Sequence, residues 1–448
     1  MNRMKNTTDF EFLREFRCSC GRTHRTLVED VIIENGAIGK LPELLARYRA
    51  GNVFLLADAN TYQAAGEKVC EILTTADIPC TSYIYPTSPE PDEYAVGACM
   101  MHFSPGCDII IAVGSGVIND ISKIVSHISG KPYVIVATAP SMDGYASSTS
   151  SMTMDGLKIS LPSTCPRAIV GDIDILKQAP TRMLQSGLGD MLAKYISICE
   201  WRISHIITGE YYCETIADMV RSALKKCTDH ADGLLNREDE AVQAIFEGLI
   251  VGGVAMSYAG LSRPASGVEH YFSHIWDMRA LEFGTKMDLH GIQCAVGTLI
   301  AARLYEQIQT VTPDREKALA YVKNFDLAHW NSRLREFLGK SAEAMITLEH
   351  KEHKYDPDLH AARLEIILDR WEEILAIIRQ EVPSSQQIKQ ILCHIGAPTA
   401  AADIGIDPAD LPMTFAATKD IRNKYVLSRL AWDLGILDEL TVDIDILV

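Results

Sequence analysis

The chain lacks the charge pattern of proteins that bind nucleic acids. Its 42 lysines and arginines are outnumbered by 59 aspartates and glutamates, which gives a formal net charge of -17 at pH 7, and it contains no long basic run. Such a chain repels phosphate polymers and anionic lipid surfaces. We therefore expect no nucleic-acid partner. A small anion can still bind, because a helix N-terminus or one buried cation acts locally.

Long hydrophobic segments are also missing. The opening residues MNRMKNTTDFEFLREF contain no apolar core of an export signal, and no later stretch offers about 18 uninterrupted apolar residues. The sequence therefore predicts no membrane insertion and a cytoplasmic location.

The sequence lacks the paired cysteine motifs of common zinc domains. Its twelve cysteines are scattered, which favours reduced thiols in a chain without an export signal. The one cluster, CSCGRTH, contains Cys18, Cys20 and His24. A zinc site usually needs a second matching pair, and none follows. We therefore interpret this segment as an N-terminal hairpin with incidental thiols.

The 448 residues exceed what one hydrophobic core normally serves, so we expect two domains. Up to about residue 180, short apolar runs at 52–58, 81–86, 107–116 and 131–140 read as buried strands alternating with helices. This alternation is typical of a parallel sheet covered by crossover helices. Long helical periodicities follow, and the stretches 238–260 and 358–382 could each fill one helix. The fold class is therefore α/β, then all-α, and Pro180 suits the boundary because proline is tolerated in a first helical turn.

A glycine-rich turn, DIIIAVGSGVIND, lies between a predicted strand and a predicted helix. Gly114 and Gly116 would let the backbone approach a pyrophosphate, and the helix would direct its N-terminal amides at the anion. The turn does not match the full G-x-G-x-x-G pattern, so it is a modest signal by itself. Asp58 ends an earlier strand, where an acid can accept a ribose hydroxyl or cap a helix.

A segment rich in small hydroxyl residues, VATAPSMDGYASSTSSM, follows the strand at 131–140. It is either a plain loop or a polar lining for phosphate and substrate oxygens. Asp143 within it favours the lining, because a carboxylate beside a dinucleotide site suits hydroxyl binding.

Three polar residues on different predicted helices could hold a metal ion. Asp190 is placed at the start of one helix, and His270 and His290 belong to two others. One oxygen and two nitrogen ligands would leave a coordination position open, as catalytic sites require. His274 shares a helix face with His270. Each histidine alone is more often a hydrogen-bonded imidazole, but three such segments behind a nucleotide-binding half favour a metal site.

Five motifs in order identify a resemblance. GSGVINDISK, TAPSMDGYASSTSSM, GLGDMLAKY, SGVEHYFSH and the HG at residue 290 span about residues 50–300. They resemble the superfamily of glycerol dehydrogenases, iron-containing alcohol dehydrogenases and dehydroquinate synthases, and within it the bacterial sn-glycerol-1-phosphate dehydrogenases. The resemblance implies a Rossmann-like dinucleotide-binding domain at 1–180, an all-helical metal- and substrate-binding domain at 181–448, and an active site in the cleft between them.

The resemblance also implies roles for particular residues. It assigns metal binding to Asp190, His270 and His290, and catalytic or substrate contacts to His274, Asp143 and Asp190. The implied dinucleotide contacts are Asp58, Gly114, Gly116, Val117, Ile118, Asn119, Asp120, Thr138, Ala139, Pro140, Ser141 and Ser147.

Some residues depart from the superfamily pattern. Ser115 replaces the middle glycine of the turn, and Lys194 stands where iron-dependent relatives carry a further histidine. The second change weakens an iron assignment, so one nickel or zinc ion is expected, held without a thiolate. Asp58 would repel a 2'-phosphate, which favours NADH over NADPH. Lys194 and Arg263 are candidates for the substrate phosphate.

The expected activity is the reversible reduction of dihydroxyacetone phosphate to sn-glycerol 1-phosphate, with NAD as cofactor and a homodimer as the assembly. Two other enzymes remain open, a dehydrogenase for glycerol or another polyol and a dehydroquinate synthase-like lyase. A regulator without activity is the third alternative, and the intact Asp143, Asp190, His270 and His290 argue against it.

Overall fold

The computed structural model describes residues 13, 15–442 and 444, and these residues form two compact units. The first unit is Met1–Met191 with Asp218–Leu261, and the second is Leu192–Ala217 with Ser262–Val448. The first unit therefore includes some helical residues beyond 180, namely those within 181–191 and 218–261. The predicted boundary at residue 180 marks the change from strands to helices, whereas the compact units interleave along the chain.

The strands all lie in the first unit. They are β1 (Phe16–Arg17), β2 (Thr23–His24), β3 (Asp30–Glu34), β4 (Val53–Asp58), β5 (Cys80–Tyr85), β6 (Ile109–Gly114), β7 (Tyr133–Ala137), β8 (Thr149–Met154), β9 (Leu157–Pro162) and β10 (Ala168–Asp172). Within the described part of the chain, every later α or β element is a helix. This confirms the predicted fold class of a parallel-sheet half followed by a helical half.

The helices of the sheet half cover the sheet, and those of the second half build the rest. They are α1 (Leu41–Tyr48), α2 (Ala59–Thr61), α3 (Glu67–Thr75), α4 (Glu93–His102), α5 (Gly116–Ser129), α6 (Ile173–Leu176), α7 (Thr181–Leu192), α8 (Lys194–Thr208), α9 (Glu214–Asp229), α10 (Asp239–Ala259), α11 (Val268–Phe283), α12 (His290–Ile308), α13 (Arg315–Lys323), α14 (Leu327–Leu338), α15 (Ala342–Lys351), α16 (Pro357–Asp369), α17 (Trp371–Glu381), α18 (Ser385–His394), α19 (Leu411–Thr418), α20 (Leu427–Asp433) and α21 (Leu437–Val442).

Six parallel strands form the sheet in the order β3-β10-β7-β6-β4-β5. Strands β4, β6 and β7 are buried along their whole length, because helices cover both faces of such a sheet. The prediction that β5 is buried is wrong. Strand β5 lies at the sheet edge and is largely half-exposed. Strands β3 and β10 were not predicted.

The connections of the sheet create a crevice of the kind in which open α/β sheets bind ligands. The chain leaves β4 for the edge strand β5 and returns to β6 on the other side of β4. The carboxyl ends of β4 and β6 therefore flank a topological switch point, where open α/β sheets bind ligands. Asp58 and Gly114 are the last residues of these two strands. The two segments that contain Asp58 and Gly114, both predicted from sequence to contact a dinucleotide, thus lie side by side at the carboxyl ends of the strands.

Two local predictions need correction. The periodic stretch at 358–382 forms two helices, α16 and α17, because the chain breaks at Arg370 with φ -109° and ψ 17°. The hydroxyl-rich segment is not a loop throughout, since its last residues enter β8, which pairs with β9 as an antiparallel hairpin. The N-terminal hairpin is confirmed by the antiparallel pairing of β1 with β2.

Helix α10 is long and apolar enough to cross a membrane by length and composition. However, 83% of its apolar window is buried inside the protein. That burial is the mark of a core helix. Elsewhere in the described residues, no helix meets the same test.

Helix α7 passes so close to the 138–141 loop that one position requires glycine. A Cβ added to Gly187 would lie 1.9 Å from the Pro140 carbonyl oxygen, a backbone atom that cannot move aside cheaply. We expect Gly187→Ala to destabilise the protein by about 2–3 kcal/mol through overpacking. A lower midpoint of urea unfolding checks this.

The matched control is Gly97→Ala in α4. A Cβ at Gly97 would meet nothing within 4 Å, and the position is exposed within a helix. Here alanine should stabilise by about 0.5–1 kcal/mol. Equal unfolding midpoints for the two variants would contradict the packing assigned to α7.

Candidate functional site

The glycine turn after β6 shows why its two glycines differ. A Cβ on Gly114 would come within 2.5 Å of the Ile118 side chain, so packing of α5 against β6 explains this glycine. A Cβ on Gly116 would meet Met142 at 3.5 Å, an ordinary contact. Packing therefore does not require Gly116. Close approach of a ligand to the backbone remains the reason predicted for it.

The N-terminus of α5 is open to an anion. Ser115 precedes the helix, and its side chain makes no capping hydrogen bond. The first amides of a helix need acceptors, and a phosphate group supplies them. The next predicted contacts are buried: the Asn119 amide nitrogen donates to the Gly144 carbonyl at 3.2 Å, and Ile118 packs below Gly114. These two side chains hold the turn in place.

Lys123 ties the predicted cofactor segments together, and sequence reasoning missed it. Its fully buried ammonium donates to the carbonyls of Gly144 (2.6 Å) and Thr149 (2.9 Å) and to the Ser147 hydroxyl (3.0 Å), and it pairs with Asp120 at 3.1 Å. Burial raises the pKa of Asp120 despite the nearby cation. The signal was the spacing of three between the acid and the lysine, which places both on one helix face.

The loop after β7 lies beside the glycine turn. The Thr138 amide donates to the Gly114 carbonyl at 3.1 Å, which joins the two segments. The carbonyls of Ala139 and Ser141 accept hydroxyl hydrogen bonds of 2.7 and 2.8 Å within the first unit. Pro140 packs against α7. The structure thus brings the predicted 138–141 contacts to the same edge of the sheet as the glycine turn.

Asp58 caps a helix, as one of its two interpretations predicted. Its Oδ1 accepts from the amides of Asn60 (2.8 Å) and Thr61 (2.9 Å). Its Oδ2 lies 3.5 Å from the Ser88 hydroxyl. The capping hydrogen bonds use only Oδ1. A contact between Oδ2 and the cofactor ribose therefore stays a prediction.

The two catalytic carboxylates predicted from sequence lie together in the first unit. The backbone amide of Asp143 donates to Asp190 Oδ2 at 2.9 Å. Asp190 is fully buried, and Asp143 is 8% exposed in a short 3-10 helix. The prediction that Asp190 begins a helix is wrong, because it lies in the last turn of α7.

In the second unit, the three predicted histidines form a cluster. His270 and His274 lie one turn apart on α11, and His290 is the first residue of α12. The ring centroid of His290 lies 5.0 Å from that of His270 and 6.1 Å from that of His274. One ligand atom each of His270, His290 and Cys294 lies within 4.8 Å of the others.

A buried carboxylate fixes the tautomer of His270. His270 Nδ1 lies 2.8 Å from Glu269 Oε1, which also accepts from the Gly267 amide at 2.7 Å. Because the carboxylate only accepts, the proton is on Nδ1 and the lone pair of the neutral ring is on Nε2. Such an outer partner is typical of histidines that bind metals.

A chain of hydrogen bonds fixes the tautomer of His290 in the same way. Asp277 accepts from the Gln293 amide nitrogen at 3.1 Å, so the Gln293 oxygen accepts from the Ser273 hydroxyl at 2.6 Å. That hydroxyl donates its one proton to Gln293, so it can only accept in its 3.1 Å contact with His290 Nδ1. The proton of the ring is therefore on Nδ1. The lone pair of His290 is therefore also on Nε2.

Cys294 is the site residue that sequence reasoning missed in this unit. Its Sγ lies 3.6 Å from His290 Nε2. Burial acts to raise the pKa of this thiol, but its interactions with the neighbouring His270 and His290 outweigh burial and hold the pKa below its ordinary value. The spacing of four from His290 was the available signal. A thiol therefore lies beside one of the three predicted ligands, and the expectation that those ligands include no thiolate stays a prediction.

The two candidates for the substrate phosphate are engaged elsewhere in the second unit. Arg263 is almost fully buried, pairs with Glu210 at 2.6 Å and donates to the Tyr425 carbonyl at 2.8 Å. Lys194 is fully buried and donates to the Ala265 carbonyl at 3.2 Å. We therefore assign neither to the phosphate.

Solved structures of other proteins share the fold described above, a parallel-sheet half followed by a helical half. A probable glycerol dehydrogenase from Sinorhizobium meliloti 1021 is 20% identical, with a TM-score of 0.56 over 92% of this chain and 97% of that one. Glycerol dehydrogenase from Schizosaccharomyces pombe is 17% identical, with a TM-score of 0.59 over 93% of this chain and 90% of that one.

Sequence comparisons give the family. Residues 32–180 match the family described as iron-containing alcohol dehydrogenase. The chain is 30% identical to glycerol-1-phosphate dehydrogenase (NAD(P)+) of Halalkalibacterium halodurans over 87% of this chain and 88% of that one. It is 42% identical to the enzyme of the same name from Pyrococcus furiosus over 44% of this chain and 55% of that one. The chain therefore belongs to the glycerol-1-phosphate dehydrogenase family, within the superfamily of iron-containing alcohol dehydrogenases and glycerol dehydrogenases.

Proposed function

We propose that this chain reduces dihydroxyacetone phosphate to sn-glycerol 1-phosphate with a reduced nicotinamide dinucleotide and catalyses the reverse reaction. The observation that carries the proposal is the 30% identity to a glycerol-1-phosphate dehydrogenase over 87% of the chain. The switch-point crevice of the sheet and the histidine cluster of α11 and α12 supply residues suited to that chemistry.

The dinucleotide is proposed to bind at the carboxyl ends of β4 and β6. The uncapped amides of Gly116 and Val117 at the start of α5 suit its pyrophosphate. Asp58 suits the adenosine ribose, because one of its oxygens is not used in helix capping. Thr138 and Ser141, whose segment is held beside the glycine turn, would contact the remainder of the cofactor.

One divalent ion, zinc or nickel, is proposed to be held by Asp190, His270 and His290. The residues fit such an ion, because both rings carry their lone pair on Nε2 and the carboxylate is fully buried. The Cys294 thiol beside His290 adds a soft donor, which suits either metal. When bound, the ion would polarise the substrate ketone.

The side chains of this protein would place the substrate and move its proton. Reduction adds a hydride from the nicotinamide to C2 and a proton to the C2 oxygen. His274 would deliver that proton, since imidazole commonly acts as an acid and base near neutral pH. Asp143 and Asp190 would accept hydrogen bonds from substrate hydroxyls, which their shared position in the first unit supports.

Replacement of His270 and of His274 should have different effects. His270→Ala should lose one metal ion per chain together with turnover, because it removes a proposed ligand. His274→Ala should keep the ion and lower kcat by about 10²- to 10⁴-fold, the usual contribution of a general acid or base. Elemental analysis and NADH oxidation with dihydroxyacetone phosphate measure both effects.

The control is His350→Ala, which changes an exposed histidine near the end of α15. It should leave metal content and kcat at the wild-type values. If His270→Ala kept the full metal content and activity, the proposed ligand set would be wrong.

Asp58→Ser tests the preference for NADH. Serine also caps helices well, so the variant removes the charge and keeps the cap. Loss of the carboxylate should raise the ratio of kcat/KM for NADPH over NADH by about tenfold, equivalent to about 1.4 kcal/mol. An unchanged ratio would place the ribose of the cofactor away from Asp58.

A substrate panel separates the proposed reaction from its rivals. NADH oxidation should be much faster with dihydroxyacetone phosphate than with dihydroxyacetone, and one NADH should be consumed per product. A preference for the unphosphorylated ketone would indicate a polyol dehydrogenase. A reaction that returns its cofactor unchanged would indicate a dehydroquinate synthase-like lyase.

We further propose that the enzyme works as a homodimer, as the resemblance implies, and that it is located in the cytoplasm. Light scattering on the purified protein measures the number of subunits directly. A mass of one chain, 49.5 kDa, would exclude the dimer.

A further inference from the structure

The N-terminal hairpin brings together three side chains of types that bind metals, and none of them takes part in the proposed function. Cys18, Cys20 and His24 each offer one ligand atom within 4.8 Å of the others. Cys20 Sγ lies 3.4 Å from His24 Nε2. In a tetrahedral zinc site with ordinary bond lengths, a sulfur and a nitrogen ligand lie about 3.5 Å apart. The observed separation therefore fits two ligands of one ion.

The hydrogen bonding of His24 gives it the tautomer that a metal ligand needs. His24 is fully buried, and its Nδ1 lies 3.0 Å from the Tyr258 carbonyl oxygen. A carbonyl only accepts, so Nδ1 carries the proton and the lone pair on Nε2 faces Cys20. Backbone carbonyls hold many zinc-binding histidines in this way. Phe16 and Tyr258 flank the ring at centroid distances of 5.2 and 5.6 Å.

The backbone of the turn holds the two thiols side by side. The Cys18 amide donates to the Arg22 carbonyl at 2.9 Å, and the Gly21 amide donates to the Cys18 carbonyl at 3.1 Å. Gly21 has φ +86°, a conformation that residues with a side chain rarely adopt. The tight turn thus presents Cys18 and Cys20 on the same side as His24 without help from a disulfide.

We propose that Cys18, Cys20 and His24 bind a structural zinc ion, distinct from the ion of the proposed reaction. A single S–H to nitrogen hydrogen bond would explain the 3.4 Å contact of Cys20, but it would not explain why Cys18 joins the cluster. Two thiolates and an imidazole are the donors that zinc prefers. A donor from outside the hairpin completes the coordination. Through His24 and Tyr258, the ion fastens the hairpin to α10.

Metal counting on the full-length protein tests the proposal. The protein is stripped with a chelator, reloaded with zinc, separated from free zinc and measured by mass spectrometry of the element. Cys18→Ser/Cys20→Ser should hold one zinc fewer per chain than the wild type. The control Cys70→Ser/Cys80→Ser removes two thiols of the first unit that interact with each other but belong to no candidate metal-binding group among the described residues. It should hold as much zinc as the wild type.

The two metal proposals fail independently. The difference between wild type and Cys18→Ser/Cys20→Ser reports only on the hairpin, and the difference between wild type and His270→Ala reports only on the proposed active site. Equal zinc in wild type and Cys18→Ser/Cys20→Ser would overturn the hairpin site. A deficit of one zinc in that variant, with turnover retained, would support it.

An experiment on the unmodified chain covers the case in which the double variant does not fold. Cys20 is half-buried, so a small alkylating reagent can reach its thiol, whereas zinc would mask it. Alkylation of Cys20, followed by peptide mass spectrometry, should be at least about tenfold slower in reloaded protein than in stripped protein. The exposed Cys393 serves as the internal control and should react equally in both. Equal rates at Cys20 in both forms would overturn the proposal.

Discussion

The interaction on which the proposed chemistry depends is the hydrogen bond to Nδ1 of each clustered imidazole. Glu269 holds His270, and the chain from Asp277 through Gln293 and Ser273 holds His290. Both arrangements place the ring proton on Nδ1 and leave the lone pair on Nε2. Without these hydrogen bonds, either ring could turn or change tautomer. Fixing its orientation and tautomer would then reduce the free energy of metal binding.

A second constraint organises the first unit. The buried Lys123 amine donates to two backbone carbonyls and a hydroxyl and pairs with Asp120, so it is not left without partners in the protein interior. It thereby connects α5 to the segment that begins with Asp143 and continues into β8. The segments of this unit that are proposed to bind the cofactor and the substrate are therefore positioned by one side chain that need not touch either ligand.

Much of the fold follows from sequence because hydrophobic periodicity reports burial. The runs that became β4, β6 and β7 are apolar throughout, as strands covered on both faces must be, and they were predicted correctly. The same reasoning failed at β5, where an apolar run lies at the sheet edge, and at β3 and β10, which are short. Strand order and burial at an edge depend on pairing between distant segments, which periodicity does not contain.

The candidate site was predictable only in part, for a similar reason. The motifs identified the three histidines as candidate site residues, and the structure places their rings close together, as expected. Partners such as Ser273, Gln293 and Cys294 carry no motif of their own, and their roles appear only when α11 and α12 are packed together. Sequence reasoning likewise judged the hairpin thiols by motif spacing alone, whereas the fold supplies His24 with its Tyr258 carbonyl.

The most direct test of the central claim is a crystal structure of the zinc-loaded protein, with anomalous diffraction recorded at the zinc edge. An anomalous peak is expected about 2.0–2.2 Å from Nε2 of His270, Nε2 of His290 and a carboxylate oxygen of Asp190. A zinc-loaded, active crystal with no peak at these three atoms, or with the ion on Nδ1 of either ring, would contradict it.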